Sequence, residues 1–299
     1  MNEHENRRVK TDWKISGFAD EISDDLRQQI DGFRRLGISF MEMRGVDGNN
    51  LIYHSDEKVR EIKKRLDDAG IRLSACGSPL GKIDIIDPFP PHLESLKRAI
   101  DVAHRMGCDN IRMFSFYMPA EQRAACRSAV FDRIGQMVRC AEENGAVLLH
   151  ENEKGIYGEM AAECRQLMDA FYGSHFKAIF DFANFVQAGQ DTQEAFRLLR
   201  PFIAYVHVKD ALAENGNVVP AGMGDGHVAE ILAELAGAGF DGFLSIEPHL
   251  AHFAGFDLLE KNGVSVAKGT PPLEGFDAFE LAHRSLLRIL DGRTGESHG

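Results

Sequence analysis

Four residues at the ends of apolar runs carry the chemistry this sequence offers: Glu151 in LLHENE, Asp181 in IFDFAN, His207 in YVHVKD and Glu247 in LSIEPH. Each follows three or more mostly apolar residues, so each sits where a buried strand runs out. Three carboxylates and one imidazole form an oxygen-rich donor set with a single nitrogen. That set suits Mn²⁺, Mg²⁺ or Co²⁺ and also accommodates Zn²⁺. Taken singly, a buried Glu or Asp reads as a structural salt bridge, and a strand His as a hydrogen-bonded core residue. Taken together, unpaired carboxylates gathered in one place carry a heavy desolvation cost, and a cation is the natural compensation. The expected cofactor is therefore one divalent metal ion.

Side chains two apart on a strand share a face. Glu153 thus follows Glu151, Lys209 follows His207 and His249 follows Glu247, all placed to meet a polyhydroxylated substrate. Lys209 would serve an oxyanion or hydroxyl, or else pair with Asp210 or Glu153. Glu42 and Arg44 end another strand and read as a pair bridging each other, with Arg44 also open to substrate. If Arg44, Lys82, Arg112 and Lys209 converge, they would suit an acidic or phosphorylated sugar. In AGMGDGH, residues 221–227, the amides of Gly222, Gly224 and Gly226 would face a phosphate. Asp225 would repel one, and reads instead as the cap of the next helix. Phe18, Phe114, Phe116 and Phe182 read as core.

The elements that position these residues recur with a period. An amphipathic stretch, a glycine and a β-rich run repeat in FRRLG-ISFMEMR, RLDDAG-IRLSACG, AHRMG-CDNIRMFSF, AEENG-AVLLHENE and LAGAG-FDGFLSIEP. Glycine at 37, 70, 107, 145 and 239 is the expected left-handed residue that ends a helix. Strand-like runs begin near 14, 38, 71, 110, 146, 177, 203 and 243, a mean step of about 33 residues, the length of one βα unit. Helical spacing covers 24–36, 56–69, 92–106, 120–143, 159–171, 192–200, 227–238 and 274–290. Ser23, Ser55 and Asp191 are the expected N-caps, Asp191 with Glu194 forming a capping box. The strands are apolar runs rather than alternations, as when both faces are covered. Eight such units predict an α/β fold of one domain, a (β/α)8 TIM barrel over 14–290. Residues 1–13 and 291–299 read as flexible ends, and the long connection from Pro248 to Pro272 as a lid or binding loop. A doubly wound sheet fits less well, because no G-x-G-x-x-G follows the first strand.

Composition narrows the partners. The 299 residues carry 34 Lys and Arg against 46 Asp and Glu, a net charge of −12 that disfavours nucleic acid and anionic membranes. No run of apolar residues is long enough to span a bilayer, and the polar first dozen residues do not form a secretory signal. Five scattered cysteines without C-x-x-C point to reduced thiols in a cytoplasmic protein.

The pattern resembles the xylose-isomerase-like TIM barrels, which include sugar isomerases and epimerases as well as type IV endonucleases. The resemblance is carried by Glu151 in HENE, Asp181 in FDFANF, His207 in HVKD and Glu247 in SIEPH, and it covers roughly 14–290. It implies that these four hold one divalent ion, with Glu151 and Glu247 moving protons on opposite faces of a carbohydrate substrate. The expected activity is metal-dependent isomerisation or epimerisation of a sugar, sugar acid or sugar phosphate through an enediolate. The alternative is dehydration of a keto-cyclitol or dehydroshikimate-like acid at the same site. Asn184 departs from the pattern, standing where many relatives carry a His, and is expected to bind a substrate hydroxyl. An endonuclease is disfavoured, since the second and third strands end in Arg44 and Cys76–Ser78 rather than in further His ligands. The family also leaves a homo-oligomer open.

Overall fold

Why the chain closes on itself follows from its eight strands, each too short and too apolar to stand with a face in water. In the computed structural model, which describes residues 13–251 and 273–292, they are β1 (Lys14–Gly17), β2 (Phe40–Met43), β3 (Arg72–Cys76) and β4 (Asn110–Met113). The set continues with β5 (Val147–Glu151), β6 (Phe176–Asp181), β7 (Ile203–Val208) and β8 (Phe243–Ile246). Hydrogen-bonded neighbours run β1-β8-β7-β6-β5-β4-β3-β2, and every pair is parallel. With β1 and β2 packed side by side, the sheet forms a nearly closed barrel. This is the single-domain TIM barrel that the period predicts.

Helices α1 (Leu26–Leu36), α2 (Asp56–Asp68), α3 (Phe89–Arg105), α4 (Arg123–Glu143) and α5 (Ala161–Phe171) wrap the first half and its return. The rest are α6 (Phe182–Gln187), α7 (Thr192–Leu199), α8 (Val228–Gly237) and α9 (Gly275–Leu290). Ser55 and Asp191 cap α2 and α7 as expected, each accepting from the amide three residues on. Ser23 does not cap α1; Asp25 does, and the Ser23 hydroxyl accepts from the Asp25 amide instead. Helix α3 begins at Phe89 rather than 92, because Pro90 and Pro91 fit its first turn, where no amide is needed. Helix α6 has no counterpart in the periodic reading. At six residues it is too short to show a period, and it starts directly on the last residue of β6.

The five glycines of the repeat all adopt positive φ, between 70° and 75°. The main core lies between strands and helices, while Ala75, Leu149, Ile179 and Tyr205 form a separate cluster. Phe18, Phe114, Phe116 and Phe182 are all fully buried. The lid expected between Pro248 and Pro272 falls, beyond Ala251, outside the described residues, as do 1–12 and 293–299. Among the described residues no helix is long and apolar enough to cross a membrane.

Two buried histidines set an acid limit on this fold. His92 Nε2 accepts from the Gly81 amide at 2.8 Å, and burial, helped by Arg133, pushes its pKa down to about 4. His150, beside the Ser115 hydroxyl at 3.0 Å, is likewise lowered by burial to about 4. Both pKa values lie below that of an unfolded histidine, so the unfolded chain binds more protons as pH falls through about 6.5. Urea denaturation should therefore show stability declining from pH 6.5 towards 4, by roughly 3 kcal/mol for each histidine at pH 4. A His92→Gln variant, which keeps an acceptor, should flatten that decline.

Candidate metal centre at the barrel mouth

The ends of β5, β6 and β7, with the residue after β8, bring Glu151, Asp181, His207 and Glu247 together. One ligand atom from each lies within 4.8 Å of the others, and all four residues are buried. Pairing explains the convergence: Asp181 stands opposite His207 across the β6–β7 ladder, and Ser245 stands opposite His207 across β7–β8. His207 Nδ1 is 2.9 Å from Glu151 Oε1 and 3.7 Å from both Asp181 Oδ2 and Glu247 Oε2. Those three oxygens and Nδ1 face a common centre.

The other oxygen of each carboxylate is held by the fold. Arg112 donates to Glu151 Oε2 at 3.2 Å, and Arg44 Nη1 to Glu247 Oε1 at 2.9 Å. The backbone amide of Asn184 donates to Asp181 Oδ1 at 2.8 Å, the cap that starts α6. Asn184 also donates its side-chain amide to Glu151 Oε1 at 3.3 Å and to the Asn152 carbonyl at 2.9 Å. Asn152 in turn clasps the Asp181 backbone in both directions at 3.0 Å. Lys209 reaches the inner oxygens, Glu247 Oε2 at 3.0 Å and Asp181 Oδ2 at 3.3 Å.

Charge states follow from these contacts. Burial disfavours the charged form of Glu151, yet His207 and Arg112 bring its pKa down to about 2. Burial is likewise outweighed at Glu247, where Lys209 and His249 hold the carboxyl well below the usual range. At Asp181 burial prevails over Lys209 and the pKa is raised. His207 is the reverse case: burial opposes its charge, but Glu151 and Glu42 raise the imidazole well above its ordinary value.

Glu42 is the residue the sequence reading misplaced. It does not bridge to Arg44. Its carboxylate sits 3.1 Å and 3.3 Å from His207 Nε2 and accepts from the Ser245 hydroxyl at 2.7 Å. The β2–β3 register shifts between Met41 and Glu42, an irregularity of the kind that re-aims a side chain. Arg44 lies just beyond the strand, and pairs instead with Asp20 at 2.7 Å, Glu21 at 3.4 Å and Glu247. Asp20 and Glu21, in the short turn after β1, were not singled out, although an acidic pair in GFADE at a strand end is a visible signal. With Nε2–H donating to the Glu42 carboxylate, a neutral His207 would turn its Nδ1 lone pair to the centre, whereas the charged imidazole carries a proton on each nitrogen.

The remaining sequence candidates are placed as follows. Lys209 pairs with Asp181 and Glu247, not with Asp210 or Glu153. Glu153 pairs with Lys82 at 3.0 Å, and Lys82 lies over the Phe114 ring. His249, at a φ of 45°, turns its ring to within 3.2 Å of Glu247 and its amide to Glu21 at 2.7 Å. Phe18 is core and site at once, its ring against His207 and under the guanidinium groups of Arg44 and Arg112. Asp225 does not cap α8, whose N-cap position is His227 in a left-handed conformation without a side-chain cap; it accepts from the Ala213 amide.

The residues present fit a divalent ion. Asp181 Oδ2 is buried and, although Lys209 Nζ lies 3.3 Å away, accepts no hydrogen bond; it stands 3.7 Å from His207 Nδ1, in the cluster that Asp181 forms with Glu151, Glu247 and His207. A buried acidic and histidine cluster at the C-terminal mouth of a (β/α)8 barrel defines the class. The family described as xylose isomerase-like TIM barrel matches residues 30–267, and the chain belongs to that family. Among solved structures, the probable 3-DHS dehydratase AsbF involved in petrobactin synthesis from Bacillus anthracis is 17% identical with a TM-score of 0.69, covering 92% of this chain and 98% of its own. D-allulose 3-epimerase from Methylomonas sp., in complex with D-allulose, is 16% identical with a TM-score of 0.69, covering 94% and 97%. A xylose isomerase-like TIM barrel protein from Mycobacterium smegmatis, in complex with magnesium, is 16% identical with a TM-score of 0.66, covering 95% and 98%. No curated protein matches the chain.

If Glu42 orients His207 towards an ion, its loss is felt in metal affinity. A Glu42→Gln variant should bind Mn²⁺ about 10- to 100-fold more weakly by calorimetry. Unchanged affinity would remove Glu42 from that role.

Proposed function

We propose that this protein is a divalent-metal-dependent isomerase or epimerase of a sugar or sugar derivative, working by proton abstraction beside a carbonyl. The observation that carries this reading is the placement of Glu151 and Glu247 on the outer two of four neighbouring positions, with His207 and Asp181 between them. Glu151, Asp181, His207 and Glu247 would hold the ion. When bound, it supplies Lewis acidity that makes the hydrogen beside a carbonyl acidic.

The side chains do the rest. Glu151 and Glu247 are both held ionised by their neighbours, so either can accept a proton from carbon. Arg112 and Arg44 fix the outer oxygens and so aim the inner ones. One carboxylate, ionised, removes the proton. For epimerisation the other, having first taken up a proton from solvent, delivers that proton to the opposite face. For isomerisation a proton is delivered to the adjacent carbon while the hydroxyl proton moves to the former carbonyl oxygen. Lys209, its charge secured against burial by Asp181 and Glu247, would stand as a donor for the developing enediolate oxygen. The buried position of all four residues keeps water from quenching the intermediate.

Likeness to an allulose epimerase supports a carbohydrate substrate. Likeness to a probable 3-DHS dehydratase supports dehydration as the second reading, in which the same intermediate expels a hydroxyl instead of regaining a proton. Five unpaired thiols, four of them buried, support a cytoplasmic setting.

Incubating the Mn²⁺-loaded enzyme with a panel of ketoses in D₂O should introduce deuterium at the carbon beside the carbonyl. Glu151→Gln and Glu247→Gln should each lower the exchange rate by about 10²- to 10⁴-fold. Chelation should abolish it and lower Tm. Full exchange by the chelated enzyme would overturn the reading.

A further inference from the structure

The loop after the seventh strand of a (β/α)8 barrel commonly contributes to a phosphate site. Here that loop is built around an anion belonging to the chain. Asp210 is fully buried, and four backbone amides donate to it. Ala211 and Gly226 donate to Oδ1, each at 2.9 Å; Gly222 and Gly224 donate to Oδ2 at 2.9 Å and 3.0 Å. Burial raises the Asp210 carboxyl, the four amides oppose that shift, and two donors on each oxygen are the pattern that suits a carboxylate. The glycines are required by this close approach. A Cβ at Gly224 or Gly226 would lie 2.5 Å or 2.6 Å from Asp210 Oδ1. The amides that the sequence offers to a phosphate are all spent on Asp210.

A second observation is independent of the loop. Among the described residues, the four cations considered at the mouth are each engaged by a carboxylate of the chain: Arg44 by Asp20, Glu21 and Glu247, Arg112 by Glu151, Lys82 by Glu153, and Lys209 by Glu247 and Asp181. In these pairs six acidic groups face four basic ones, an excess of two that a divalent ion would offset. A substrate phosphate or carboxylate would have to break an internal pair, leaving a buried carboxylate uncompensated.

We propose that the substrate is an uncharged ketose: the chain fills its own anion cradle with Asp210 and pairs the cations of the mouth internally. This rests on the enolisation reading above, and it sets aside sugar phosphates and keto acids, including acids of the dehydroshikimate type. Specificity here comes from what is withheld, since an added anion meets committed amides and cations that are already paired.

Two measurements test it. The first uses D-fructose, D-fructose 6-phosphate and D-fructuronate, which share the ketone and differ only at the far carbon, together with the same trio built on other ketohexoses. Binding to the Mn²⁺-loaded enzyme and deuterium exchange should favour the uncharged member of a trio by about a hundredfold. Equal or better binding or exchange by the phosphate or the acid overturns the proposal. The second uses millimolar inorganic phosphate alone. Wild-type Tm should not move, whereas Asp210→Asn and Asp210→Gly, with the resident anion removed, should gain Tm or refolding yield when phosphate is added. A wild-type shift, or no response from either variant, also overturns it. If no ketose exchanges while the phosphate result holds, it is the enolisation reading that has failed, and the cradle assignment stands.

Discussion

The mouth of this barrel is governed by negative charge taken out of water. Glu42, Glu151, Asp181 and Glu247 are all at most 2% exposed, and Asp20 and Glu21 lie close behind them. Like charges at such distances in a poorly hydrated space raise one another's cost of ionisation. Most of the nearby polar structure is a response. Arg44 and Arg112 neutralise the outer oxygens, Lys209 spans two inner ones, and the two arginines spread over Phe18 rather than into solvent. Backbone amides serve the outer oxygen of Asp181, through Asn184, and both oxygens of Asp210, through its glycine loop.

Below this layer the interior is held by hydroxyls. Ser16, Ser74 and Tyr205 are linked at 2.6 Å and 2.8 Å, and Ser245 continues the polar layer to Glu42. Glu42 thereby belongs both to the packed interior and to the imidazole above it. A shift at the base of the barrel would reach His207 through one carboxylate. That coupling gives the irregular register at Met41 and Glu42 its significance.

Much of the arrangement is legible in the sequence because barrel strands end abruptly. Glu151, Asp181, His207 and Glu247 stand out as polar residues closing apolar runs, and the glycine period sets their order around the ring. What a period cannot show is partner choice among charges. Arg44 and Glu42 are two apart and of opposite sign, so a mutual bridge is the local inference. The register shift at Glu42 and the acidic turn at Asp20 and Glu21, both products of tertiary structure, send them to different partners. Asp210 reads in the sequence only as a neighbour for Lys209 to pair with, for a related reason: its role is fixed by amides up to sixteen residues away. Helix α6 was hidden by its brevity, though Asp181 and Asn184 at cap spacing were there to be read.

The division of labour within each carboxylate limits what the centre can grip. Arg112, Asn184 and Arg44 each claim one oxygen from Glu151, Asp181 and Glu247. Each of these side chains would thus offer an ion a single oxygen, and with His207 the chain would contribute four points of attachment. An ion held that way would have coordination left for substrate oxygens such as a ketone and its adjacent hydroxyl. The clamps on the carboxylates would then select for vicinal oxygenation before any group farther along the substrate is consulted.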